Sequence, residues 1–479
     1  MSYILPIVTF LNISFALTLI FLERKDPSSS WAWILVLFFL PLVGFVFYLL
    51  LGRKLRKKHL FRWEGSKDIG IDKLIDFQIE AIKNDQLDYR TDHVKDYNHL
   101  IYMNLTTNNS VLTQDNDVVI YLDGTDKFEA LIEDILAAKD HIHIQYYIFK
   151  VDNLGQRILN VLIKKVKQGV KVRILYDEMG SRGVRKRHFK DLTDVGGEVE
   201  VFFPSIFPMI NPRLNFRNHR KIVVIDGRIG YIGGFNVGDE YLGLTSKFGY
   251  WRDTHLRIEG SAVHPLQTRF ILDWNQASTK QRINYSERYF PAIPKKGEAA
   301  MQIISSGPDT EWEVIKNGYI KLITNAKKYV YIQSPYFIPD DSFLDAVKIA
   351  TLSGIDVRIM IPNKPDHIFV FWATYSYVGQ LVHAGAKIYH YAKGFIHAKM
   401  IVVDDEAASV GTANIDVRSF SLNFEVNAFI YDREIAHKLA EIFEQDILDC
   451  SELTVEIYEN RSNIVKFKES ISRLLSPIL

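Results

Sequence analysis

The chain opens with two long apolar stretches, and polar residues become frequent only after them. Residues 3–22 and 31–51 contain no charged side chain. Because an α-helix rises ~1.5 Å per residue, about 20 apolar residues are enough to cross a hydrocarbon core of ~30 Å. The pattern therefore predicts a transmembrane hairpin over residues 1–58, with a short loop at Glu23–Ser30 and a basic flank after the second helix.

Basic residues are concentrated on one side of this predicted hairpin. The loop carries only Arg24 and Lys25, whereas five cations follow the second helix: Arg53, Lys54, Arg56, Lys57 and Lys58. The positive-inside bias then predicts that the long C-terminal part and the N-terminus are both cytoplasmic. A cleaved signal peptide is the alternative for the first stretch, which however lacks a basic start and an Ala-x-Ala-like cleavage site. The same cations would attract anionic lipid headgroups at ~1 kcal/mol each.

Beyond residue 110, helix-type and strand-type patterns alternate, and the series occurs twice. The matching segments are the helices Phe128–Ala138 and Glu313–Thr324, the strands His141–Phe149 and Tyr329–Phe337, and the strands Gly169–Leu175 and Gly354–Met360. Such alternation predicts an α/β fold with a largely parallel sheet. We expect two similar domains, 111–285 and 296–479, with a seam at Pro291–Gly297. A polar connector, residues 59–110, precedes them and is expected to contain a helix at Ile71–Asn84.

Each predicted domain carries the same polar motif. His219, Lys221, Asp226 and Asn236 recur at identical spacing as His397, Lys399, Asp404 and Asn414, and Gly233 and Gly411 also match. Five matched positions in two copies indicate one active site with two similar sides.

Strand geometry divides the motif into unequal parts. A β-branched run that ends at Asp226-Gly227 and is followed by a second apolar run predicts a β-hairpin. Side chains alternate along a strand, so His219 and Lys221 share one face. Asp226 lies at an odd offset from His219 and is expected in the turn, as a turn-forming or ion-pairing support. The same parity applies to His397, Lys399 and Asp404.

Composition narrows the chemistry of such a site. The formal net charge of +1 over 479 residues gives no general attraction to nucleic acid, so no nucleic-acid partner is expected. Cys450 is the only cysteine, which excludes an internal disulfide and a cysteine metal cluster. Paired histidines and lysines suit phosphodiester substitution: lysine and asparagine side chains stabilise charge on the phosphate oxygens, one His attacks phosphorus, and the other protonates the leaving oxygen.

These residues resemble a known signature. H-x-K-x4-D, followed by G-G-x-N at Gly233–Asn236 and by G-T-x-N at Gly411–Asn414, looks like the signature of the phospholipase D superfamily, and it occurs in both halves. With the two N-terminal spans and the segments Asn236–Tyr241, Tyr250–Asp253 and Asp416–Glu425, the chain is similar to bacterial cardiolipin synthases. The resemblance implies two phospholipase D-like repeats, each a mixed sheet flanked by helices, with the active site at their interface.

The resemblance also implies an activity and residue roles. The reaction would transfer a phosphatidyl group between two phosphatidylglycerols at a bacterial cell membrane and release glycerol, without a metal or another cofactor. One of His219 and His397 would be the nucleophile, with the N-terminal His favoured, and the other the acid and base. Lys221, Lys399, Asn236 and Asn414 would hold the phosphate, and Thr412 would add a hydroxyl donor. The signature groups Asp226 and Asp404 with this catalytic set.

Two carboxylates downstream of the motifs occupy comparable positions, Asp253 and Glu425. We expect each to orient a histidine and to stabilise its cationic form. A surface salt bridge is the competing interpretation of both residues.

Two apolar stretches near the motifs bear on the substrate. Val201–Asn211 is interrupted by Pro204 and Pro208, so it suits either an acyl-chain entrance or a buried loop. Ile368–Tyr375 is expected to be a core helix. A membrane-bound phospholipase D hydrolase or phosphatidylserine synthase is the alternative function, and a non-catalytic scaffold is a distant one. The oligomeric state stays open.

Overall fold

The structure is a computed structural model that describes residues 70–204, 215–278 and 280–476, together with residues 27–40 and residues 10, 14, 44 and 48. Most of the predicted first membrane helix, and the basic run after residue 52, lie outside these residues. Part of the second stretch forms helix α1, Pro27–Phe39. None of the helices in the described ranges is long and apolar enough to cross a membrane.

Helix α1 begins earlier than the sequence pattern predicted. Its first four residues belong to the segment expected to be a loop, Glu23–Ser30. Proline is favoured at the first position of a helix because its missing N–H has no partner there in any case. Pro27 therefore starts the helix, and the loop expectation is wrong for residues 27–30.

Nineteen strands and fourteen further helices follow in the described residues. The strands are β1 Thr113–Tyr121, β2 His141–Tyr146, β3 Lys171–Asp177, β4 Glu198–Phe202, β5 Ile222–Ile225, β6 Ile229–Gly233, β7 Tyr250–Arg252, β8 His255–Glu259, β9 Ala299–Ser306, β10 Tyr329–Gln333, β11 Phe337–Ile338, β12 Asp356–Pro362, β13 Lys387–Tyr391, β14 Gly394–Ile396, β15 Met400–Val403, β16 Ala407–Gly411, β17 Ile415–Asp416, β18 Glu425–Ile430 and β19 Cys450–Leu453. The helices are α2 Ile71–Lys83, α3 Asp92–Asp96, α4 Asn98–Asn108, α5 Gly124–Ala137, α6 Asn153–Lys167, α7 Lys190–Asp194, α8 Val263–Ala277, α9 Val314–Asn325, α10 Asp341–Leu352, α11 Ile368–Ala384, α12 Val417–Ser421, α13 Arg433–Ile447, α14 Val455–Glu459 and α15 Asn463–Leu474.

The two repeats join in one 15-stranded sheet. Its order is β19-β13-β12-β10-β15-β16-β18-β9-β1-β8-β6-β5-β2-β3-β4. Strands β1 and β9 lie side by side and antiparallel at the centre, and each continues into its own half in the same order of equivalent strands. The duplicated sequence is therefore a duplicated structure, arranged about the β1–β9 pair.

The sheet is mixed, and the expectation of a largely parallel sheet is wrong. Only β2–β3–β4 and β10–β12–β13 run parallel within the described part of the large sheet. These strands are connected by helical crossovers, which bring the chain back in the same direction. The motif hairpins β5–β6 and β15–β16 have short turns and must be antiparallel. The mixed sheet that the resemblance implied is confirmed.

Helices cover the sheet, and part of the core joins the halves. One buried cluster combines Ile222 and Leu256 of the first half with Met301 and Val402 of the second. The connector helices α2–α4, although they precede the first repeat, pack on the core of the second. The predicted helix at Ile71–Asn84 is present as α2. The two halves therefore hold each other in a fixed arrangement around the site between them.

Candidate active site

Each motif lies on a β-hairpin, as the sequence predicted. Strand β5 is followed by a turn at Asp226 and Gly227, which have φ of 53° and 63°, and then by β6. In the second hairpin Asp404 has φ of 57°. Aspartate is one of the few residues other than glycine that tolerate the left-handed region. The hairpins bring the His and Lys of each motif to the start of β5 and β15, at the end of the hairpin opposite the turn.

The turn aspartates hold the beginning of the neighbouring strand. Asp226 accepts hydrogen bonds from the backbone N–H groups of residues 139–141 at 2.8–2.9 Å. Asp404 accepts the equivalent three bonds from residues 327–329 at 2.6–2.9 Å. The structure does not bring either carboxylate to the histidines. This placement corrects their grouping with the catalytic set and agrees with the turn role that strand parity predicts.

The two histidines take their carboxylate partners from opposite halves of the chain. His219 Nδ1 lies 2.9 Å from both carboxylate oxygens of Glu425, and His397 Nδ1 lies 2.6 Å from Asp253 Oδ2. The backbone repeats the exchange, because the N–H of His219 donates to Phe424 O and that of His397 donates to Arg252 O. Neither half therefore contains a complete His–carboxylate pair.

The two carboxylates are supported differently. Thr412 donates its hydroxyl to Glu425 Oε2 at 2.5 Å and accepts the N–H of Val426, so it orients the carboxylate. The equivalent position in the first half is Gly234, where a Cβ would lie 1.9 Å from Asp253 Oδ1. Beside His219 the carboxylate is a glutamate that accepts a hydroxyl hydrogen bond. Beside His397 it is the shorter aspartate, which packs on a glycine. Thr412 thus contacts the carboxylate, whereas the sequence had suggested a contact with phosphate.

Both motif lysines are buried beside the histidines. Lys221 Nζ donates to His219 O at 2.7 Å, and Lys399 Nζ donates to His397 O. Burial lowers the pKa of Lys399 to about 8, although Asp253 and Glu425 oppose the shift. Burial also lowers the pKa of Lys221 well below its usual range. An anion that enters the site would raise the pKa of both lysines, because its negative charge stabilises the ammonium form.

Burial and the carboxylate partners have opposite effects on the pKa of each histidine. Burial, followed by the charge of Lys399, lowers the pKa of His397 to about 3 against the effect of Asp253. Burial also lowers the pKa of His219, and Glu425 opposes the shift. Both imidazoles are therefore neutral at neutral pH. Since Nδ1 is bound to the carboxylate in each, Nε2 is the nitrogen that a substrate would meet.

The two asparagines of the motif differ in how they are held. Asn236 accepts the N–H of Ile148 at 3.1 Å and donates to the Tyr241 hydroxyl at 3.1 Å. Asn414 receives no such support: its Oδ1 is buried and has no hydrogen-bond partner among the described residues. Both side chains line the same cavity as the histidines.

That cavity measures about 520 Å³ and is lined from both halves. His219 and His397 are each 8% exposed within it. Rings pack against the histidines, with Tyr147 4.9 Å from His219 and Trp251 5.2 Å from His397 between centroids. The walls also include residues that sequence reasoning missed: Arg217, Arg418, Tyr147, Tyr336 and Asp366.

A sequence signal was available for only part of this missed set. Arg217 lies two positions before His219, so strand parity predicts that both side chains point to the same face. Arg418 is reached only through the fold, because α12 turns back toward the first half, where Arg418 contacts Asn215. The two arginines add positive charge to the cavity, beside Asp177 and Asp416.

Three histidines outside the motifs lie in the core. His141 and His143 are buried and contact Gln267. His255 is also buried, and neither of its ring nitrogens has a hydrogen-bond partner in the described part of the chain.

The two apolar stretches have different outcomes. In Val201–Asn211, Phe202 and Phe203 are buried against Phe424. Residues 205–211 lie outside the residues that the structure describes. Ile368–Tyr375 begins helix α11 as predicted, but its first turn is not core, since Ile368 and Phe369 are 66% and 53% exposed. His367 and Val370, beside these residues, line the cavity.

Comparisons with known proteins identify the family of this chain. The family described as "Cardiolipin synthase, PLD-like domain" matches residues 131–261 and 319–447, and the family described as phospholipase D-nuclease N-terminal matches residues 10–53. The major cardiolipin synthase of Bacillus subtilis (strain 168) is 60% identical over 478 residues, covering 100% of this chain and 99% of that protein. A cardiolipin synthase of Staphylococcus aureus (strain Mu50 / ATCC 700699) is 58% identical over 469 residues, covering 98% and 95%.

A solved structure supports the fold. The phosphatidylserine synthase of Haemophilus influenzae Rd KW20 superposes with a TM-score of 0.58 at 15% identity, covering 76% of this chain and 95% of that chain. The fold and the paired histidines define a phospholipase D-like protein. The chain matches cardiolipin synthases over its whole length. It therefore belongs to the cardiolipin synthase family.

Proposed function

We propose that this protein is a cardiolipin synthase that joins two phosphatidylglycerol molecules and releases glycerol. The observation that carries the proposal is the pair of histidines in one cavity, each held at Nδ1 by a carboxylate from the opposite half. Full-length similarity to cardiolipin synthases supports phosphatidyl transfer as the reaction. Phosphatidylglycerol is proposed as the donor and as the acceptor.

In the first half-reaction, His219 Nε2 attacks the phosphorus of one phosphatidylglycerol. The bond between phosphorus and the headgroup glycerol oxygen breaks, and His397 Nε2 gives its proton to that oxygen. Free glycerol leaves, and a phosphatidyl group stays covalently bound to His219. Glu425 stabilises the positive charge that His219 gains.

In the second half-reaction, His397 is neutral and acts as a base. It takes the proton of a headgroup hydroxyl of the second phosphatidylglycerol while that oxygen attacks phosphorus. The bond between phosphorus and His219 breaks, cardiolipin forms, and both histidines return to their starting protonation. One pair of histidines serves both steps without another proton carrier.

Substrate binding adds a negative charge beside the buried lysines and histidines. A phosphodiester brings one negative charge beside Lys221, Lys399 and the histidines, and an adjacent anion raises the pKa of each of these groups. His397 therefore takes up a proton from solvent at Nε2 when the substrate binds, and this is the proton that it donates. The lysines and Asn414 then stabilise the charge on the nonbridging oxygens, and Asn236 keeps the loop beside them in place.

The location and the domain limits belong to the same proposal. The chain is bound to the bacterial cell membrane by the hairpin of residues 1–58, with the catalytic halves on the cytoplasmic side. The limits 111–285 and 296–479 separate the repeats, and residues 59–110 connect them to the hairpin. The matched N-terminal family and the lipid substrate support this placement. Protease protection of closed vesicles, with cleavage sites introduced after residue 58, tests the orientation.

The decisive assay supplies phosphatidylglycerol as the sole lipid to the purified full chain. We expect cardiolipin and glycerol in equal amounts. Phosphatidic acid without cardiolipin would identify a hydrolase instead, and no product at all would support the scaffold alternative. Activity that persists in a strong chelator is expected, because no step requires a metal.

Alanine variants test the roles of the two histidines. His219→Ala and His397→Ala should each lower turnover by at least about three orders of magnitude, because each histidine acts in both half-reactions. His437→Ala is the matched control, since its ring is exposed and pairs with Asp405. Near-normal activity in either active-site variant would contradict a shared site.

A further inference from the structure

The C-terminal helix α15 exposes its apolar side chains and buries polar ones. Four apolar residues are exposed, Ile464 by 68%, Phe467 by 66%, Ile471 by 41% and Leu474 by 77%. Their spacing of three, four and three places them along one face of the helix. On the opposite side Glu469 and Ser472 are buried, at 4% and 2% exposure. This is the reverse of what packing against a protein core in water would select.

The exposed surface of α15 is also positively charged. Lys466, Lys468 and Arg473 are exposed, and none of the exposed positions described in this helix is a carboxylate. The buried Glu469 is paired with Arg461 at 2.8 Å. An apolar stripe bordered by cations is the pattern of a helix that lies in the interface of an anionic membrane.

The position of α15 connects this surface with the active-site cavity. Lys468 Nζ lies 5.1 Å from the Trp372 ring centroid, and the Arg473 guanidinium lies 5.7 Å from that of Tyr377. These contacts show that α15 packs along α11 and runs in the same direction, with residues 468 and 473 beside residues 372 and 377.

The first turn of α11 carries the exposed Ile368 and Phe369, next to the cavity-lining His367 and Val370. The apolar stripe of α15 and the exposed first turn of α11 are therefore on two helices that pack against each other, and the second lies at the edge of the cavity.

We propose that α15 and the first turn of α11 form an interfacial surface that seats the cavity on the anionic bilayer, so that lipid substrates enter directly from the membrane. This inference rests on the proposed lipid substrate and adds a membrane contact separate from the N-terminal segment. The partner is the lipid surface itself, recognised through apolar burial and through negative headgroup charge.

Depth-dependent quenching tests the contact without using activity. In a Cys450→Ser background, Phe467→Cys carries an environment-sensitive fluorophore, and the full chain is reconstituted in phosphatidylglycerol vesicles containing doxyl-labelled lipid. We expect at least fivefold stronger quenching than for a fluorophore at Leu448→Cys, an equally exposed position (78%) outside these helices. Equal quenching at the two positions would overturn the proposal.

Activity in two substrate forms tests the consequence. Ile464→Ser/Phe467→Ser should lose at least tenfold in kcat/KM on long-chain phosphatidylglycerol vesicles and stay within twofold of wild type on short-chain, monomeric phosphatidylglycerol. Leu136→Ser/Leu448→Ser is the control for removing exposed apolar residues. Equal losses in both substrate forms, or no loss on vesicles, would contradict the interfacial role.

The outcomes separate the two proposals. If the wild-type chain makes no cardiolipin from either substrate form, the proposed function fails, while quenching still reports the membrane contact. A second copy of the chain is the competing occupant of the apolar surface. If the Ile464→Ser/Phe467→Ser variant changes a wild-type dimer in detergent into a monomer and shows no change in vesicle activity, the surface is a dimer interface and the proposal is wrong.

Discussion

At the scale of single residues, each motif histidine is held by a carboxylate that follows the other motif. Glu425→Gln and Asp253→Asn keep the shape of the side chain but remove the charge that stabilises an imidazolium and the acceptor that fixes its tautomer. We expect kcat to fall by about two to three orders of magnitude in each variant. Turnover of phosphatidylglycerol measures the effect, with Asp405→Asn as a control outside the cavity. A loss below threefold would contradict the orienting role.

The lysines make the reaction sensitive to alkaline pH. Burial lowers the pKa of Lys399 to about 8 in the free protein, so the cation is lost as the pH rises through this value. Because kcat/KM reports ionisations of the free enzyme, the loss of this cation should make its alkaline decline steeper above about pH 8. Lys399→Arg keeps its charge and should move this alkaline limb upward, even if the rate at the optimum is lower. An unchanged limb in Lys399→Arg would assign the ionisation to another group.

Residue identities were predictable where spacing alone carried them. The His/Lys pairs and the turn aspartates follow from two copies of one motif and from strand parity. The exchange of Glu425 and Asp253 does not follow, because these contacts span 206 and 144 residues and depend on how the halves dock. The acceptor of the Thr412 hydroxyl could not be predicted for the same reason, since it is a carboxylate brought next to Thr412 by β18.

At the scale of elements, Asp226 and Asp404 join each motif hairpin to the strand beside it. Asp404→Ala removes an acceptor of three backbone N–H groups and places alanine at a positive φ. We expect the free energy of unfolding to fall by about 2–4 kcal/mol, with little change in kcat per folded molecule. Denaturant unfolding and active-site titration measure the two quantities.

Two further variants sharpen that test. Asp404→Asn tolerates the same backbone conformation and keeps one acceptor, so it should lose about half as much stability. Asp117→Ala, at an exposed position in β1, should change little. A large drop in kcat with unchanged stability in Asp404→Ala would return this residue to the catalytic set.

The positions of the helices and strands were predicted better than the relative directions of the strands in the sheet. The helices and strands around each motif follow from periodicity, and the hairpins follow from Asp226-Gly227 and its counterpart. Strand direction depends on pairing between distant segments, which is why a largely parallel sheet was expected and a mixed one is present. Similarly, periodicity identified α11 but did not show that its first turn is exposed beside the cavity.

At the scale of the whole molecule, one chain supplies both histidines of one site. A mixture of full-length His219→Ala and His397→Ala chains should therefore stay inactive, because each chain has an incomplete cavity. The assay compares the mixture with each variant alone and with wild type at the same total protein. Recovery to a substantial fraction of wild-type activity would show that functional sites form between chains.

A covalent intermediate in the shared site can be detected by mass spectrometry of the protein with phosphatidylglycerol, after rapid denaturation at neutral to mildly alkaline pH, where a phosphohistidine survives. We expect a single phosphatidyl group on His219 in wild type, and its absence in His219→Ala. Cardiolipin formed at the normal rate without an adduct on either histidine, or adducts on both histidines of one chain, would contradict the account.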